Sequence, residues 1–470
     1  MTQASSGHAR RWRSSASGSS EPANGKEREK PGLAARQAAV KLLAAVIDRH
    51  ISLDGLVDPI GGNPVFVALN EADRALVKAI LLTSLRHHGT LTARIDRLLD
   101  RPLPHGARSL RHILVSGAAQ ILYLDIPARA AVDLSVEIAA RDPRTRRFSG
   151  LVNAVLRRIE DHQKKPESSL TRDPAGTVIN QPKWFADRLI EVYGRDHAAR
   201  IMAMLAFPAP LDLTAKGDPG LWAERLGGTV LPTGSVRLSG PAGPIAQMPG
   251  FAQGEWWVQD TAASLPVRLF GDLSGKHVAD LCAAPGGKTA QLAHAGAIVT
   301  AVDPSASRLK RLAANLERLR LSAEIRQESL FSHKPQRLYD AVLLDAPCSS
   351  TGTSRRHPDI PWTKSPEDIV KLADLQARML AHAATLVRPG GTIVFSNCSL
   401  DPLEGENMVR ALLQQMPDLQ RHRVPADALP GLEEAINDAG ELRTTPAMLE
   451  AEPPETGGLD GFYAVRLVVS

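Results

Sequence analysis

Three cysteines are the residues of this sequence best suited to chemistry, and each follows a short apolar run that predicts a buried strand: Cys282, Cys348 and Cys398. A lone cysteine is most often a small buried side chain. Three cysteines at the ends of predicted strands, two of them beside Pro- and Gly-rich turns, favour a functional site instead. A thiolate can form a covalent intermediate with an electrophilic carbon. The residues alone leave open whether Cys348 or Cys398 is the nucleophile.

A glycine-rich turn follows the first of these predicted strands, in the stretch DLCAAPGGKT at residues 280–289. Gly286 and Gly287 permit a tight turn and a close backbone approach to a ligand. Asp303 ends the next apolar run, where a carboxylate can accept hydrogen bonds from ribose hydroxyls. The turn matches neither the dinucleotide fingerprint nor the phosphate loop, and Pro285 would withdraw an amide donor. A nucleoside cofactor without phosphates, S-adenosylmethionine, therefore fits best.

Methylation of cytosine would explain why thiols accompany such a cofactor site. Carbon 5 of cytosine is a poor nucleophile, but a thiolate that adds to carbon 6 makes carbon 5 nucleophilic enough to take a methyl group. The addition needs a proton or hydrogen bond at ring nitrogen 3 and the exocyclic amine, and Asp345 lies three residues before Cys348. Loss of the carbon-5 proton then releases the enzyme, and a second thiol can serve as acid or base in that step.

The elements that must position these residues alternate between strand and helix from about residue 262 onward. Buried strands are predicted at Val278–Cys282, Ile298–Val302, Ala341–Leu344 and Thr392–Phe395, with helices over 289–295, 305–320 and 367–387. This alternation is typical of a mostly parallel sheet covered on both faces. Ligands of such sheets bind at the carboxyl ends of the strands, which is where the cysteines and the glycine turn lie.

Residues 31–165 show helical spacing of apolar residues without strand-like alternation. One predicted helix carries Leu76, Ile80 and Leu85 after a likely N-cap at Asn70. The region therefore predicts an all-helical domain. Its arginines could form an RNA-facing patch or an ordinary solvated surface, and the sequence favours neither: Arg94, Arg97, Arg108, Arg111, Arg144, Arg146, Arg147, Arg157 and Arg158.

The remaining segments complete a multidomain chain of 470 residues with 43% hydrophobic residues and a formal net charge of +5. Residues 1–30 predict a disordered basic tail, 166–180 a polar linker, 181–261 a small α/β subdomain and 262–470 the cofactor-binding domain. No cysteine spacing resembles a disulfide framework or a zinc site, and no apolar run reaches the length of a membrane span. We expect a cytoplasmic monomer without metal or membrane attachment.

Three motifs in the right order resemble the RsmB/Sun family of bacterial ribosomal RNA (cytosine-5)-methyltransferases. They are Asp280–Lys288, Asp345–Gly352 and Ser396–Ser399, and the resemblance extends over residues 31–470. It implies an N-terminal NusB-like RNA-binding domain and a C-terminal Rossmann-like methyltransferase domain. It also implies S-adenosylmethionine as cofactor and small-subunit (16S) ribosomal RNA as substrate.

The resemblance also implies individual roles, which the residues alone leave undecided. Cys398 matches the family's nucleophile, and Cys348 the cysteine that assists product release. Lys288 and Asp345 match residues around the target base. The implied cofactor contacts are Cys282, Ala283, Ala284, Pro285, Gly286, Gly287, Lys288, Asp303, Arg308, Glu328 and Asp345.

Two departures from the family pattern affect the expected contacts. Glu328, in Gln327-Glu328-Ser329, stands where the family usually has an acidic residue near the adenine or ribose, and Leu211–Thr214 replaces a common Leu-Arg-Val-Asn. Arg355, Arg356 and His357 follow the catalytic loop, and we predict them as RNA contacts. Two alternatives stay open: a tRNA substrate, and a non-catalytic NusB-like protein that only binds RNA.

Overall fold

A computed structural model describes residues 30–163, 179–240, 243–425 and 428–470. The predicted tail and linker fall outside the described residues, apart from Lys30 and residues 179–180. Within the described ranges no helix is long and apolar enough to cross a membrane.

The N-terminal region is entirely helical and has its own apolar core. Its helices are α1 Leu33–Arg49, α2 Leu53–Leu56, α3 Pro64–Val67, α4 Glu71–Arg86, α5 His88–Arg97, α6 Arg108–Tyr123, α7 Ala128–Arg141 and α8 Ser149–Gln163. The predicted N-cap is confirmed, because Asn70 Oδ1 accepts a hydrogen bond from Asp73 N at 2.8 Å. Of the apolar positions in the spacing pattern, Ile80 and Leu85 are buried in this core, and Leu76 is partly buried against it.

Between the helical region and the catalytic sheet, helix α9 (Lys183–Met204), kinked at Gly194, precedes a small antiparallel sheet. The strands are β1 Asp212–Ala215, β2 Gly228–Val230, β3 Val236–Leu238 and β4 Trp256–Val258, in the order β2-β3-β1-β4, and α10 is Pro219–Leu226. The buried pair Asp212 and Arg237 joins β1 to β3 through two hydrogen bonds of 2.8 Å. This small sheet packs beside the catalytic domain through Thr261, whose hydroxyl donates to Asp212 at 2.7 Å.

The C-terminal region contains the predicted parallel sheet. Its elements are α11 Thr261–Arg268, β5 His277–Leu281, α12 Gly287–His294, β6 Ile298–Val302, α13 Ala306–Leu319, β7 Glu324–Arg326, β8 Tyr339–Asp345, α14 Ile360–Thr363, α15 Pro366–Ala384, β9 Val387–Asn397, α16 Glu406–Gln415, β10 Leu419–Arg421, β11 Leu442–Thr444 and β12 Phe462–Val469. The strand order is β10-β12-β9-β8-β5-β6-β7, and β11 pairs with β12. Strands β9, β8, β5, β6 and β7 are parallel, whereas β12 runs antiparallel to β9.

Two details differ from the sequence prediction. Strand β9 begins at Val387, which the apolar spacing assigns to the preceding helix, and α15 already ends at Ala384. The edge strand β7 has exposed side chains throughout, so its sequence carries no buried-strand pattern. The order of the sheet nevertheless places the ends of β5, β6, β8 and β9 side by side at one rim.

Candidate active site

Two of the three cysteines meet at the carboxyl rim of the sheet. Cys348 follows β8 and Cys398 follows β9, which are parallel neighbours, and their Sγ atoms are 3.4 Å apart. Both thiols are partly exposed. Gly352 holds the loop after Cys348 against the loop of Cys398, because Gly352 N donates to the Cys398 carbonyl at 2.9 Å. A side chain at Gly352 would place its Cβ 2.0 Å from the Gly461 carbonyl oxygen, so only glycine allows this approach.

The surroundings of the two thiols shift their pKa values in opposite directions. A hydrogen bond from Cys348 lowers the pKa of the Cys398 thiol, and Ser350 contributes in the same direction. The same bond, followed by burial, raises the pKa of Cys348 well above the usual range. Cys398 is therefore the thiol that ionises first, and Cys348 is the one that keeps its proton.

Lys288 and Asp345 lie at the same rim as the thiols. Lys288 Nζ donates to Asp345 Oδ2 at 2.8 Å and lies 4.8 Å from the centre of the Phe462 ring. Ser396 Oγ donates to the other carboxylate oxygen of Asp345 at 2.9 Å. Both oxygens of Asp345 are thereby fixed, and a cation and an anion stand beside the thiol pair.

The glycine turn between β5 and α12 forms the neighbouring part of the rim. Gly286 has φ 104°, and a Cβ there would lie 2.9 Å from Leu312 Cγ. Asp303, buried at the end of β6, accepts a hydrogen bond from Ala284 N at 3.2 Å and lies 3.5 Å from Arg308 Nη1. The structure thus brings the predicted turn, Asp303 and Arg308 into contact, and together they form one wall of the rim.

Asp280 is an acidic residue of this wall that the sequence reasoning did not single out as a site residue. Its Oδ2 accepts from Thr289 Oγ1 at 2.6 Å, whereas Oδ1 is buried without a hydrogen-bond partner among the described residues. Burial raises the pKa of Asp280 to about 7. A buried acceptor without a donor is costly, and a donor-bearing ligand in the turn would satisfy it. The only sequence signal was an acidic residue inside an apolar strand.

The third cysteine, Cys282, belongs to the turn and not to the thiol pair. It has φ 66°, an uncommon conformation for a side chain with Cβ. Burial raises the pKa of its thiol to about 12, so Cys282 stays protonated and unreactive. Glu328 follows the edge strand β7, and its Oε1 is hydrogen-bonded to His333 Nδ1 at 2.9 Å.

The three residues after the catalytic loop that the sequence predicts as RNA contacts all make contacts within the protein. Arg355 is fully buried, and its guanidinium donates to the carbonyls of Gly457 and Pro208 at 2.8 and 3.1 Å. Arg356 is paired with Asp260 and Asp460. Carbonyl and carboxylate acceptors inside the protein therefore bind both side chains, of which Arg355 is buried and Arg356 is partly exposed.

The same segment instead joins the catalytic sheet to the helical region. His357 lies 3.6 Å from Asp54, and Asp359 Oδ2 accepts from Leu53 N at 2.9 Å. The carbonyl of Arg355 accepts from Arg86 at 2.8 Å. Residues 355–359 thus hold the helical region against the segment that follows the Cys348 loop.

Helix α9 supports the loop after Cys398 from the other side. Arg188 donates to both carboxylate oxygens of Asp401 at 2.7 and 2.8 Å. Tyr193 donates to the Leu400 carbonyl at 2.7 Å. The two cysteine loops are therefore fixed by elements that lie outside the sheet.

A mostly parallel sheet with a glycine turn after β5 and a buried carboxylate at the end of the next strand is typical of S-adenosylmethionine-dependent methyltransferases. Comparison with known proteins agrees. Residues 272–468 match the family model for 16S rRNA methyltransferase RsmB/F, and residues 33–161 match the NusB family. The chain is 32% identical over 450 residues to "Ribosomal RNA small subunit methyltransferase B" of Cronobacter sakazakii, covering 92% of this chain and 98% of the relative. The chain belongs to the RsmB/F family of methyltransferases.

Solved structures give the same fold. The crystal structure of PH0851 has a TM-score of 0.66 at 20% identity and covers 94% of this chain and 100% of its own. A methyltransferase homologue from Pyrococcus horikoshii has a TM-score of 0.50 at 25% identity, covering 62% of this chain and 95% of its own. The protein is an S-adenosylmethionine-dependent RNA methyltransferase with a NusB-like helical domain.

Proposed function

We propose that this enzyme methylates carbon 5 of a cytosine in small-subunit (16S) ribosomal RNA, with Cys398 as the covalent nucleophile. The observation that carries the proposal is the thiol pair, with Cys348 Sγ 3.4 Å from Cys398 Sγ beside the Lys288–Asp345 pair. Methyl transfer to a base nitrogen or a ribose hydroxyl has no need for two thiols at the reacting centre. The family and its ribosomal RNA relatives support the substrate. With this substrate we propose that the enzyme acts in the cytoplasm, and we propose that it acts as a monomer.

The residues of the cofactor wall fit S-adenosylmethionine. Asp303 and Glu328 supply carboxylates for ribose hydroxyls, the turn at residues 282–288 supplies backbone donors, Asp345 and Arg308 complete the wall, and Asp280 offers an unused acceptor. The bound cofactor supplies the electrophilic methyl carbon.

The covalent step follows from the chemistry of the two thiols. The Cys398 thiolate adds to carbon 6, and the electron pair displaced onto the ring is stabilised at nitrogen 3 by the hydrogen-bonding pair of Asp345 and Lys288. Carbon 5 then attacks the methyl carbon, and the electron pair of the bond that breaks stays on the sulfur of the cofactor. Once Cys398 is bonded to carbon 6, it no longer carries the charge that raises the pKa of Cys348, so Cys348 acts as the base that removes the carbon-5 proton. The electrons of that C–H bond form the double bond between carbons 5 and 6, and Cys398 leaves as a thiolate.

The test of the substrate class uses methyl-labelled cofactor with small-subunit ribosomal RNA and, in parallel, with tRNA. We expect label in the ribosomal RNA, recovered as 5-methylcytidine after digestion to nucleosides. Label in tRNA alone would favour the tRNA alternative. A chain that binds RNA but labels neither substrate, naked or in assembled subunits, would be the non-catalytic binding protein.

A groove of the helical domain is the surface we propose for RNA contact. It has a volume of about 710 Å³ between α1, α6 and α7, and its lining includes the exposed cations Lys41, Arg49 and Arg108. No ion pair within the described ranges engages these three, whereas Arg144 of the same groove is paired with Asp142.

Of the other arginines of the helical domain, Arg111 is paired with Asp96 and Arg157 with Asp133 and Glu160. The arginines of this domain therefore do not form a single free patch.

Charge reversal in this groove should weaken RNA binding without slowing the chemical step. For a variant with Lys41, Arg49 and Arg108 all changed to Glu, we expect a raised KM for RNA and a nearly unchanged kcat. Loss of three phosphate contacts should also reduce the salt dependence of binding by a log–log slope of about 2. Arg129→Glu, at an exposed position of α7 outside the groove, is the control. An unchanged KM and salt slope in the triple variant would remove the groove from RNA binding.

A further inference from the structure

Both cysteine motifs continue with a serine, and one buried carboxylate contacts both serines. Glu404 has no exposed surface. Its Oε1 accepts from Ser349 N at 2.8 Å, and its Oε2 accepts from Ser349 Oγ at 2.5 Å and from Ser399 Oγ at 2.6 Å. Ser349 follows Cys348 and Ser399 follows Cys398, so a single side chain connects the two catalytic loops.

Further bonds extend this connection to the residues that precede each cysteine. Gln376 of α15 donates to Glu404 Oε1 and to the Pro347 carbonyl, both at 2.9 Å. Asn397 Nδ2 donates to the Glu404 backbone carbonyl at 2.5 Å. The residues on both sides of both cysteines are thus bonded to Glu404 or to its partner Gln376.

The chemistry of the network requires a carboxylate. Burial raises the pKa of Glu404, and only its hydrogen-bond donors oppose that effect. A buried carboxylate is tolerated when donors saturate its oxygens, and here Oε1 and Oε2 each accept two hydrogen bonds. A glutamine replaces one of these accepting oxygens with an NH2 group, which carries two donors, so it cannot accept from all four donors as the carboxylate does.

We propose that Glu404 is a positioning residue that sets the separation of the Cys348 and Cys398 thiols, and through it the readiness of Cys398 to react. The inference rests on the proposed roles of the two cysteines. Glu404 itself does not touch the base. It acts through Ser349 and Ser399, which carry the two loops to the distance at which Cys348 donates to Cys398.

The test compares wild type with Glu404→Gln in the absence of RNA and cofactor. One readout is the pH dependence of Cys398 alkylation by iodoacetamide, and the other is the rate at which diamide oxidises Cys348 and Cys398 to a disulfide. In that reaction the two thiols lose two electrons and two protons, which reduce the azo group of diamide to a hydrazine. We expect the alkylation midpoint of the variant to move up toward the usual thiol range of about 8.5, and disulfide formation to slow at least about tenfold.

Asp340→Asn is the matched control, because Asp340 is a hydrogen-bonded carboxylate at the opposite end of β8 that accepts from His277 N and Arg388 at 2.8 Å each. It should move neither readout. In turnover, Glu404→Gln should lower kcat while KM for RNA stays unchanged. If Glu404→Gln does not fold, Ser399→Ala removes one donor and should shift both thiol readouts in the same direction by less. A folded Glu404→Gln with the wild-type midpoint and oxidation rate would overturn the proposal.

These thiol measurements are independent of the RNA reaction. Should Cys398 prove not to be the nucleophile, no RNA adduct would form on Cys398, yet the thiol readouts would still report whether Glu404 sets the separation of the pair.

Discussion

Cys348→Ala is expected to convert the enzyme into a covalent trap for its RNA. The variant keeps Cys398 and its contact with Ser350, so the thiolate still adds to carbon 6 and the methyl group is still transferred, but more slowly because the Cys348 hydrogen bond that lowers the pKa of Cys398 is gone. Release is impaired because the neighbouring thiol, 3.4 Å from Cys398 in the wild type, is gone. Protein and RNA should therefore migrate together on a denaturing gel in the presence of S-adenosylmethionine.

Cys398→Ala and Cys282→Ala complete that experiment. Cys398→Ala should lose both turnover and adduct, because no nucleophile remains. Cys282→Ala should form no stable adduct, as in the wild type. The thiol that this substitution removes stays protonated and lies on the cofactor turn, so it has no part in release. An adduct that persists in Cys398→Ala but disappears in Cys348→Ala would exchange the roles of the two cysteines.

Asp345→Asn should lower the rate of methyl transfer by about 10²- to 10⁴-fold, the range typical for loss of a general acid–base group. The substitution keeps the size of the side chain but replaces one carboxylate oxygen with an amide donor, which would face the Lys288 ammonium or the Ser396 hydroxyl. Single-turnover transfer at saturating cofactor and RNA measures the effect. Cofactor affinity is measured separately, because Asp345 also belongs to the cofactor wall.

In the Cys348→Ala background, Asp345→Asn should also reduce the amount of trapped adduct, since Asp345 assists the addition itself. Asp340→Asn on the same strand serves as the control and should retain the wild-type rate. A wild-type rate for Asp345→Asn would show that the carboxylate has no part in the chemistry.

The sequence predicted those parts of the site that depend on local pattern. Apolar runs marked β5, β6, β8 and β9, and parallel strands bring their carboxyl ends to one rim, so the sequence predicted that both thiols lie there. Their direct contact depends on β8 and β9 being neighbours, which the structure gives. The helical cap at Asn70 was equally local. The family resemblance added the implied roles of the two cysteines. The lowered pKa of Cys398 agrees with its assignment as the nucleophile.

The parts that could not be predicted depend on partners distant in sequence. From its sequence context Arg355 would be an exposed cation. In the structure it is buried, and the carbonyls of Gly457 and Pro208 accept hydrogen bonds from its guanidinium. Glu404 looks like a surface charge of a polar loop, but serines from two other segments enclose it. Side-chain charge alone does not reveal burial, because a charged group is buried wherever enough donors or acceptors converge on it.

The most direct test of the proposed mechanism locates the covalent bond in the wild-type enzyme. RNA transcribed with 5-fluorocytidine in place of cytidine cannot lose a proton from carbon 5, so the methylated intermediate cannot eliminate. After incubation with S-adenosylmethionine and proteolysis, mass spectrometry identifies the peptide that carries a nucleotide. We predict attachment at Cys398 and nowhere else. A nucleotide on Cys348, or no adduct from an enzyme that methylates the unsubstituted RNA, would contradict the assignment of Cys398 as the nucleophile.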